Sequence, residues 1–211
     1  MSTPQLDDPA RRTALTEAED KALTLFDAIE VAGIIAPGRS ETEVDADINA
    51  LAQSELGIAR HWHTCNVRVG ANTATTFHDS PPVRVIAPDD TVYVDLGPVF
   101  EAWEADVGRT YVVGDDAAKH ALVAALPVVF EAVRAQWLGA PDMTGAALYA
   151  QHCVACHWPG DKDYQRISPL NPMRLTDADP FGRPRHWILE IHLLEPERQW
   201  GGFYERLLRK S

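Results

Sequence analysis

The sequence predicts a mixed α/β (α+β) domain in which two helices and a β-hairpin follow one another, and the same order then occurs again. Apolar residues recur at helical spacing in four segments, and β-branched and aromatic residues alternate in two pairs of neighbouring runs. Of the 211 residues, 45% are hydrophobic and 24% are charged, which is typical of a globular chain. The two halves share no repeat of letters, so only their order of elements is duplicated.

The first two helices are predicted from the residues at their ends. Thr16 is expected to cap the first helix, and Gly38 is expected to end it. Ser40 and Glu43 form a capping-box pattern that opens the second helix, which ends at Gly57. These helices are therefore expected to be consecutive, with a short connection.

Three runs in the first half have strand character. Residues 60–70 alternate loosely, and residues 91–99 and 103–113 alternate clearly enough to predict a hairpin. His61 and His63 would share one face of the earlier strand. They could line a pocket there or pair with acids on the surface.

The second half repeats the order of the first. A helix is expected after Asp115 and another after Thr144, followed by a hairpin formed by HWILEIHLL and QWGGFYERLL. Residues 158–185 contain five prolines without any period and are expected to form an irregular loop. We expect residues 1–15 to be a flexible segment and residues 16–211 to be a single domain.

The charge of the chain excludes one class of function. The formal net charge is -12, whereas proteins that neutralise nucleic-acid phosphates carry a basic surface. No stretch approaches the roughly 18 apolar residues of a membrane span, and no apolar leader is visible. Three cysteines suit a reducing compartment better than a disulfide framework. We therefore expect a cytoplasmic protein without nucleic-acid or membrane partners.

Two acids are predicted to face each other in the first hairpin. Alternation places Asp95 on the same strand face as Tyr93, inside an otherwise apolar run. A turn centred on Phe100 and Glu101 then places Asp106 directly opposite Asp95. Like charges in this arrangement are destabilising unless a positive charge lies between them.

The second hairpin shows the same arrangement. A turn within EPER places Glu190 opposite Glu205, so the two hairpins would bring four carboxylates together. Burying them is costly without compensation, and two divalent cations would supply it. In the alternative interpretation, one acid of a pair is exposed or forms a salt bridge with Arg109 or Arg206.

These residues also carry a resemblance to a known family. DDTVYVDLGPVFEAWEADVGRTYVVGD resembles the metal-binding hairpin of the pita-bread metallopeptidases, which are methionine aminopeptidase, aminopeptidase P and prolidase; creatinase is a relative with the same fold. Asp95 in VDLG and Asp106 in DVGRTY match its two aspartates. Glu190 in HWILEIH and Glu205 in GGFYERLL resemble its two glutamates, and His78 in TTFHDSPP resembles a histidine on the substrate side.

The resemblance implies the pita-bread fold, with pseudo-twofold helix-helix-hairpin halves of which the second is abbreviated. It implies a metal-dependent aminopeptidase-like hydrolase of the Xaa-Pro or methionine aminopeptidase type that acts on short peptides, and a homodimer is plausible. It also implies two divalent metal ions that lower the pKa of a bridging water and so supply hydroxide near neutral pH. The ligand types favour Mn²⁺, with Co²⁺, Fe²⁺ or Zn²⁺ as alternatives.

The resemblance also implies a role for each site residue. Asp95 would chelate one ion, Asp106 and Glu205 would bridge both, and Glu190 would hold the other ion together with a histidine. Glu190 would also be the general base and acid, and His78 would donate a hydrogen bond to the oxyanion.

The histidine ligand has no clear position, because the family's G-H-G-like segment is not intact between the last helix and Glu190. His157 in ACHWPG is the first candidate and His152 the second. This departure leaves a second hypothesis open, in which the chain is a catalytically degenerate binding module or a metal-free enzyme similar to creatinase.

The string Cys153-Val154-Ala155-Cys156-His157 has the C-x-x-C-H pattern of covalent haem c attachment. Haem attachment of this type needs export, and the sequence begins without an export signal. A zinc site there would lack an obvious fourth ligand. We therefore favour a helix end with two small buried thiols over a haem c protein.

Overall fold

The computed structural model describes residues 8–75, 79–140, 142–152, 155–157, 185–195, 197 and 199–209, with only the backbone of 149–152 and 155–157. The α-helices are α1 (Asp8–Val31), α2 (Glu41–Leu56), α3 (Ala117–Gly139) and α4 (Gly145–His152). The strands are β1 (Asn66–Val69), β2 (Thr91–Leu96), β3 (Val99–Phe100), β4 (Trp103–Glu104), β5 (Val107–Val112), β6 (Ala155–His157), β7 (Ile188–Leu194) and β8 (Gly201–Leu207). A short 3₁₀ helix spans Gly70–Ala74.

Both predicted hairpins belong to one six-stranded antiparallel sheet with the order β1-β2-β5-β8-β7-β6. The hairpins meet at β5 and β8. There the Thr110 hydroxyl donates to the Phe203 carbonyl at 2.8 Å and accepts from the Phe203 amide at 2.7 Å. Because this contact satisfies both backbone groups of Phe203, it joins the two halves of the chain across the middle of the sheet.

Each half has its own apolar core. Phe26 of α1 and Ile48 of α2 are fully buried with the apolar faces of β1, β2 and β5. Leu126 of α3 and Leu148 of α4 are buried with β7 in a second cluster. Burying one such side chain contributes about 1.5–3 kcal/mol. The doubled order predicted from the sequence is therefore confirmed.

The first helix differs from its prediction at both ends. It begins at Asp8, so Thr16 lies within the helix and does not cap it. Pro9 is compatible with this earlier start because proline is tolerated in the first turn. The chain leaves the helix before Gly33, whose φ is 63°, and not at Gly38.

The other predicted helix ends agree well with the structure. The Ser40 hydroxyl accepts from the Glu43 amide, and the Glu43 carboxylate accepts from the Ser40 amide at 2.8 Å, so the capping box is confirmed. Gly57 ends α2 with a φ of 63°. Helix α3 begins after its cap Asp116, one residue later than predicted, and α4 begins after Thr144 as predicted.

The register predicted for the first hairpin is wrong. The turn lies one residue later, because Glu101 adopts left-handed backbone with a φ of 56° between β3 and β4. Asp95 therefore pairs with Gly108, and Asp106 precedes that position by two residues. The second hairpin has the predicted register, with Glu190 opposite Glu205.

Helix α3 is long and apolar enough to cross a membrane by length and composition, although the sequence analysis found no such stretch. Its mean hydropathy reaches 1.4 over 18 residues, of which 22% are buried. Those buried residues include Phe130 and Val133, which pack with the core beside β7. The helix thus meets the criteria for a span while packing on the sheet.

Glu19 ties α1 to the end of β8. One carboxylate oxygen accepts from the Leu207 amide at 2.6 Å, and the other accepts from Arg209 Nε at 2.8 Å. Burial raises the pKa of Glu19, against the opposing effect of these donors. The contact spans most of the chain and holds its first helix against its last strand.

We expect Glu19→Ala to lower the free energy of unfolding by about 2–4 kcal/mol, because it leaves the buried Leu207 amide without its acceptor and the Arg209 guanidinium with only Asp20 as a carboxylate partner. Urea denaturation followed by circular dichroism measures the loss. The matched control is Glu17→Ala on the exposed side of α1, which is expected to change stability by less than about 0.5 kcal/mol. Equal losses in the two variants would contradict the role of Glu19.

Candidate functional site

One row of residues across the sheet carries three of the predicted acids. Asp95 on β2, Gly108 on β5, Glu205 on β8 and Glu190 on β7 lie opposite one another in turn. Directly opposite residues on antiparallel strands share a face, so the three carboxylates project from the same side of the sheet. Asp106 lies two residues before Gly108 and joins this group.

The acids are buried, and their charges repel one another. Asp106 and Glu205 are each 2% exposed, and Asp95 is 8% exposed. Burial raises the pKa of Glu205 well above its usual range, and the charges of Asp106, Asp95 and Glu190 raise it further. A hydrogen bond between Glu205 and Asp106 acts in the same direction. A cation among these groups would relieve both the repulsion and the cost of desolvation.

The absence of a side chain at Gly108 leaves room for the ring of Phe203 beside the acids. A Cβ atom at this position would lie 2.2 Å from Cε1 of Phe203 and 3.1 Å from Cβ of Glu205. The DVGRT motif therefore needs glycine here for a steric reason, because any larger side chain would displace the aromatic ring beside the acids.

We expect Gly108→Ala to cost about 1–3 kcal/mol of stability through overpacking and to weaken Mn²⁺ binding, because Phe203 and Glu205 must move. Chemical denaturation and calorimetric titration with Mn²⁺ measure the two effects. Gly139→Ala is the control, since its Cβ would meet nothing within 4 Å. The steric explanation is wrong if Gly108→Ala has the same free energy of unfolding and the same affinity for Mn²⁺ as the wild type.

His63, which is not among the predicted ligands, lies beside these acids. Nε2 of His63 is 3.3 Å from Oδ1 of Asp106 and 3.5 Å from Oδ1 of Asp95. One potential ligand atom from each of the three residues falls within 4.8 Å of the others. Burial lowers the pKa of His63, but the two carboxylates outweigh it and raise the pKa to about 9.

The local backbone explains why the position of His63 was missed. The predicted strand over residues 60–70 is too long, because β1 begins only at Asn66. Continuing the pairing of Asn66 with Asp95 would place His63 opposite Pro98, but His61 occupies that position. The segment between His61 and Asn66 therefore contains two more residues than the continued strand pairing would need. These two residues let the chain bulge, so that His63 lies next to the residues that follow Asp95. Gly97, two residues after the strand acid in VDLG, was the available signal.

Three predicted histidines are not tested by the structure. His78 lies outside the described residues. The backbone of His157 pairs with Ile188 on β7, and His152 ends α4, but neither side chain is described. Cys153 of the C-x-x-C-H string also lies outside the described residues. The roles assigned to these residues stay predictions.

The two arginines considered as partners of the acids make other contacts. Nη1 of Arg109 lies 3.2 Å from Asp27 and 3.0 Å from Glu30, both on α1. Nη1 of Arg206 donates to the carbonyl of Gly108 at 3.2 Å. These hydrogen bonds hold helix and strand backbone together on the opposite side of β5 from Asp106.

A cleft of about 580 Å³ lies next to His63. Residues 58–65 line it together with Asn49 and Gln53 of α2. His63 therefore borders the cleft and also contacts Asp95 and Asp106. A small polar molecule in the cleft would lie next to His63, which contacts the two aspartates.

The fold and the site together define a duplicated α/β domain whose clustered carboxylates suit divalent cations. Residues 13–159 match the model of metallopeptidase family M24, and the chain belongs to this family. The pita-bread fold expected from the resemblance is therefore confirmed, and membership supports a metal-dependent, peptidase-like function.

Solved structures with the same fold span several members of this group. A dipeptidase from Pyrococcus horikoshii is 17% identical, with a TM-score of 0.71 over 98% of this chain and 62% of its own. A prolidase from Thermococcus sibiricus is 18% identical, with a TM-score of 0.68 over 96% of this chain and 57% of its own. A methionine aminopeptidase from Thermotoga maritima is 16% identical, with a TM-score of 0.58 over 96% of this chain and 94% of its own.

The chain spans a little more than half the length of the prolidase that it resembles. A search of curated protein sequences gave no match. At these identities the solved structures establish the fold alone.

Proposed function

We propose that the chain is an aminopeptidase-like hydrolase of the Xaa-Pro or methionine aminopeptidase type that uses two divalent cations, Mn²⁺ by preference, to cleave short peptides. Its centre is formed by Asp95, Asp106, Glu190 and Glu205. Family membership and the carboxylate row across both hairpins support this assignment.

The burial of Glu205 in the carboxylate row, opposite Glu190 and next to Gly108 on β5, carries the proposal. This carboxyl group is 2% exposed, and burial and three neighbouring acids raise its pKa. Such a group is expensive to bury unless a proton or a cation accompanies it. Oxygen-rich ligand sets suit hard divalent cations such as Mn²⁺, so the residues present fit the group that the family implies.

The cations would supply Lewis-acid polarisation of the scissile carbonyl and a lowered pKa for water. Glu190 is half-buried at the edge of the row. In this proposal its carboxylate accepts the proton of the attacking water and passes it to the leaving amine. His78 donates an N–H to the developing oxyanion. The cleft bordered by His63 would provide room for the peptide.

Metal analysis and a peptide panel test the proposal together. Protein purified without chelator and loaded with Mn²⁺ or Co²⁺ is expected to retain about two equivalents per chain, as a two-metal centre requires. It is expected to release the first residue from peptides with N-terminal methionine or with proline in the second position. Retention of less than about half an equivalent after loading would overturn the proposal.

The sequence between α4 and β7 supports a second candidate function. This region has no intact G-H-G-like segment, so the chain could be a binding module that keeps the fold without turnover. That candidate predicts a cooperatively folded protein that cleaves no member of the peptide panel even when it is loaded with metal.

A further inference from the structure

We propose that His63 is a direct ligand of the divalent cation held by Asp95 and Asp106. The inference rests on the proposed function and adds a ligand from the segment before β1. The histidine implied by the family resemblance lies in the second half of the chain, beside Glu190. His63 would therefore give the first hairpin an imidazole of its own.

The distances suit a shared ion. Ligand atoms about 2.1 Å from one ion lie about 3.0–3.4 Å from each other in octahedral or tetrahedral geometry. Nε2 of His63 lies 3.3 Å from Asp106 Oδ1 and 3.5 Å from Asp95 Oδ1. The three side chains can therefore coordinate one cation with only small movements.

The orientation of the imidazole ring also suits coordination. Nδ1 of His63 lies 2.8 Å from the carbonyl oxygen of Thr64. A carbonyl oxygen can only accept, so Nδ1 carries the hydrogen and the neutral ring has its lone pair on Nε2. Nε2 is the atom that faces Asp95 and Asp106. A metal-binding histidine usually donates its second ring N–H to a carbonyl or carboxylate in this way.

The backbone around His63 holds the ring in place. A Cβ at Gly97 would lie 2.5 Å from Nε2 of His63, so the ring occupies space that only glycine leaves free. The Trp62 amide donates to the Gly97 carbonyl at 2.8 Å, and the Trp62 indole donates to the Ala105 carbonyl at 2.9 Å. The segment is thus anchored to the residue that follows β2, which carries Asp95, and to the residue that precedes Asp106.

Zn²⁺ titration of the full chain tests the inference. In wild-type protein labelled with ¹⁵N-histidine, the first equivalents of Zn²⁺ are expected to shift the Nε2 resonance of His63, which is assigned by its loss in His63→Gln. Calorimetry is expected to show at least about a 10-fold weaker site in His63→Ala. His61→Ala, which removes a half-buried imidazole two residues away, is the matched control and is expected to bind as the wild type does.

The outcomes separate the two proposals. If wild-type protein binds no Zn²⁺, Mn²⁺ or Co²⁺, the proposed function fails. If it binds them but the His63 resonance does not move and His63→Ala binds equally well, only the inference fails. Circular dichroism identifies a variant that does not fold, and His63→Gln then replaces His63→Ala in the titration because it keeps a polar side chain of similar length.

Gly97→Ala gives a second test that leaves His63 in the chain. The new methyl group is expected to displace the imidazole and to weaken Zn²⁺ binding by about as much as His63→Ala does. Gly139→Ala is again the control. A folded Gly97→Ala protein with wild-type affinity and an unchanged His63 resonance would overturn the inference.

Discussion

Replacement of Asp106 by Asn is expected to abolish tight binding of divalent cations, with a loss in affinity of at least about 100-fold. Asp106 is 2% exposed, and its carboxylate forms a hydrogen bond with Glu205. Its Oδ1 lies 3.3 Å from Nε2 of His63. A neutral amide cannot supply the charge needed to bridge two ions. Calorimetry with Mn²⁺ and metal analysis after gel filtration measure the loss.

The same substitution is expected to leave the fold intact. Asp106→Asn removes the attraction to His63, but it also removes the repulsion of Glu205 and Asp95, and the two changes oppose each other. After metal is removed with a chelator, the free energy of unfolding of the variant should therefore lie within about 1 kcal/mol of that of the wild type. Asp47→Asn, at an exposed acid paired with Arg39, is the control and should keep its metal. Wild-type metal content in Asp106→Asn would count against the whole site.

Local patterns in the sequence were sufficient for much of the fold and for the faces of its acids. Alternation placed Asp95 on the face opposite the core, and Tyr93 on that face packs against the Phe203 ring. The pairing of Glu190 with Glu205 followed from the symmetry of the second hairpin about its connection. Both inferences use period-2 alternation, which is a property of neighbouring residues.

The remaining features depend on contacts between distant parts of the chain. The first hairpin's register depends on the positive φ of Glu101, which no sequence preference indicates for glutamate. Helix α1 extends back to Asp8, and Glu19 on it bonds to the last strand. His63 reaches the acids only because Gly97 leaves space for its ring. Periodicity within a short stretch of sequence cannot reveal contacts between residues that are far apart in the chain.

Removal of divalent cations is expected to make stability fall as the pH rises. The folded pKa of Glu205 is raised, so its stabilising contribution is complete below the usual value of 4.5 and is lost as the pH rises through the folded value. His63 acts in the same direction. Its contribution is complete below pH 6.5 and is lost as the pH rises through about 9, which corresponds to about 3 kcal/mol. Cations bind the deprotonated ligands, so loading should reverse this trend.

Thermal unfolding in EDTA and in Mn²⁺, between about pH 5.5 and 8.5, measures this dependence. In EDTA the midpoint temperature of unfolding is expected to fall steadily as the pH rises. In Mn²⁺ this temperature is expected to stay level or rise with pH. Glu205→Gln should reduce the slope in EDTA, because the amide keeps the shape of the side chain without its charge. Glu43→Gln, at the exposed cap of α2, should leave the difference between the two curves unchanged. A level curve for the wild type in EDTA would mean that the acids do not come together without metal.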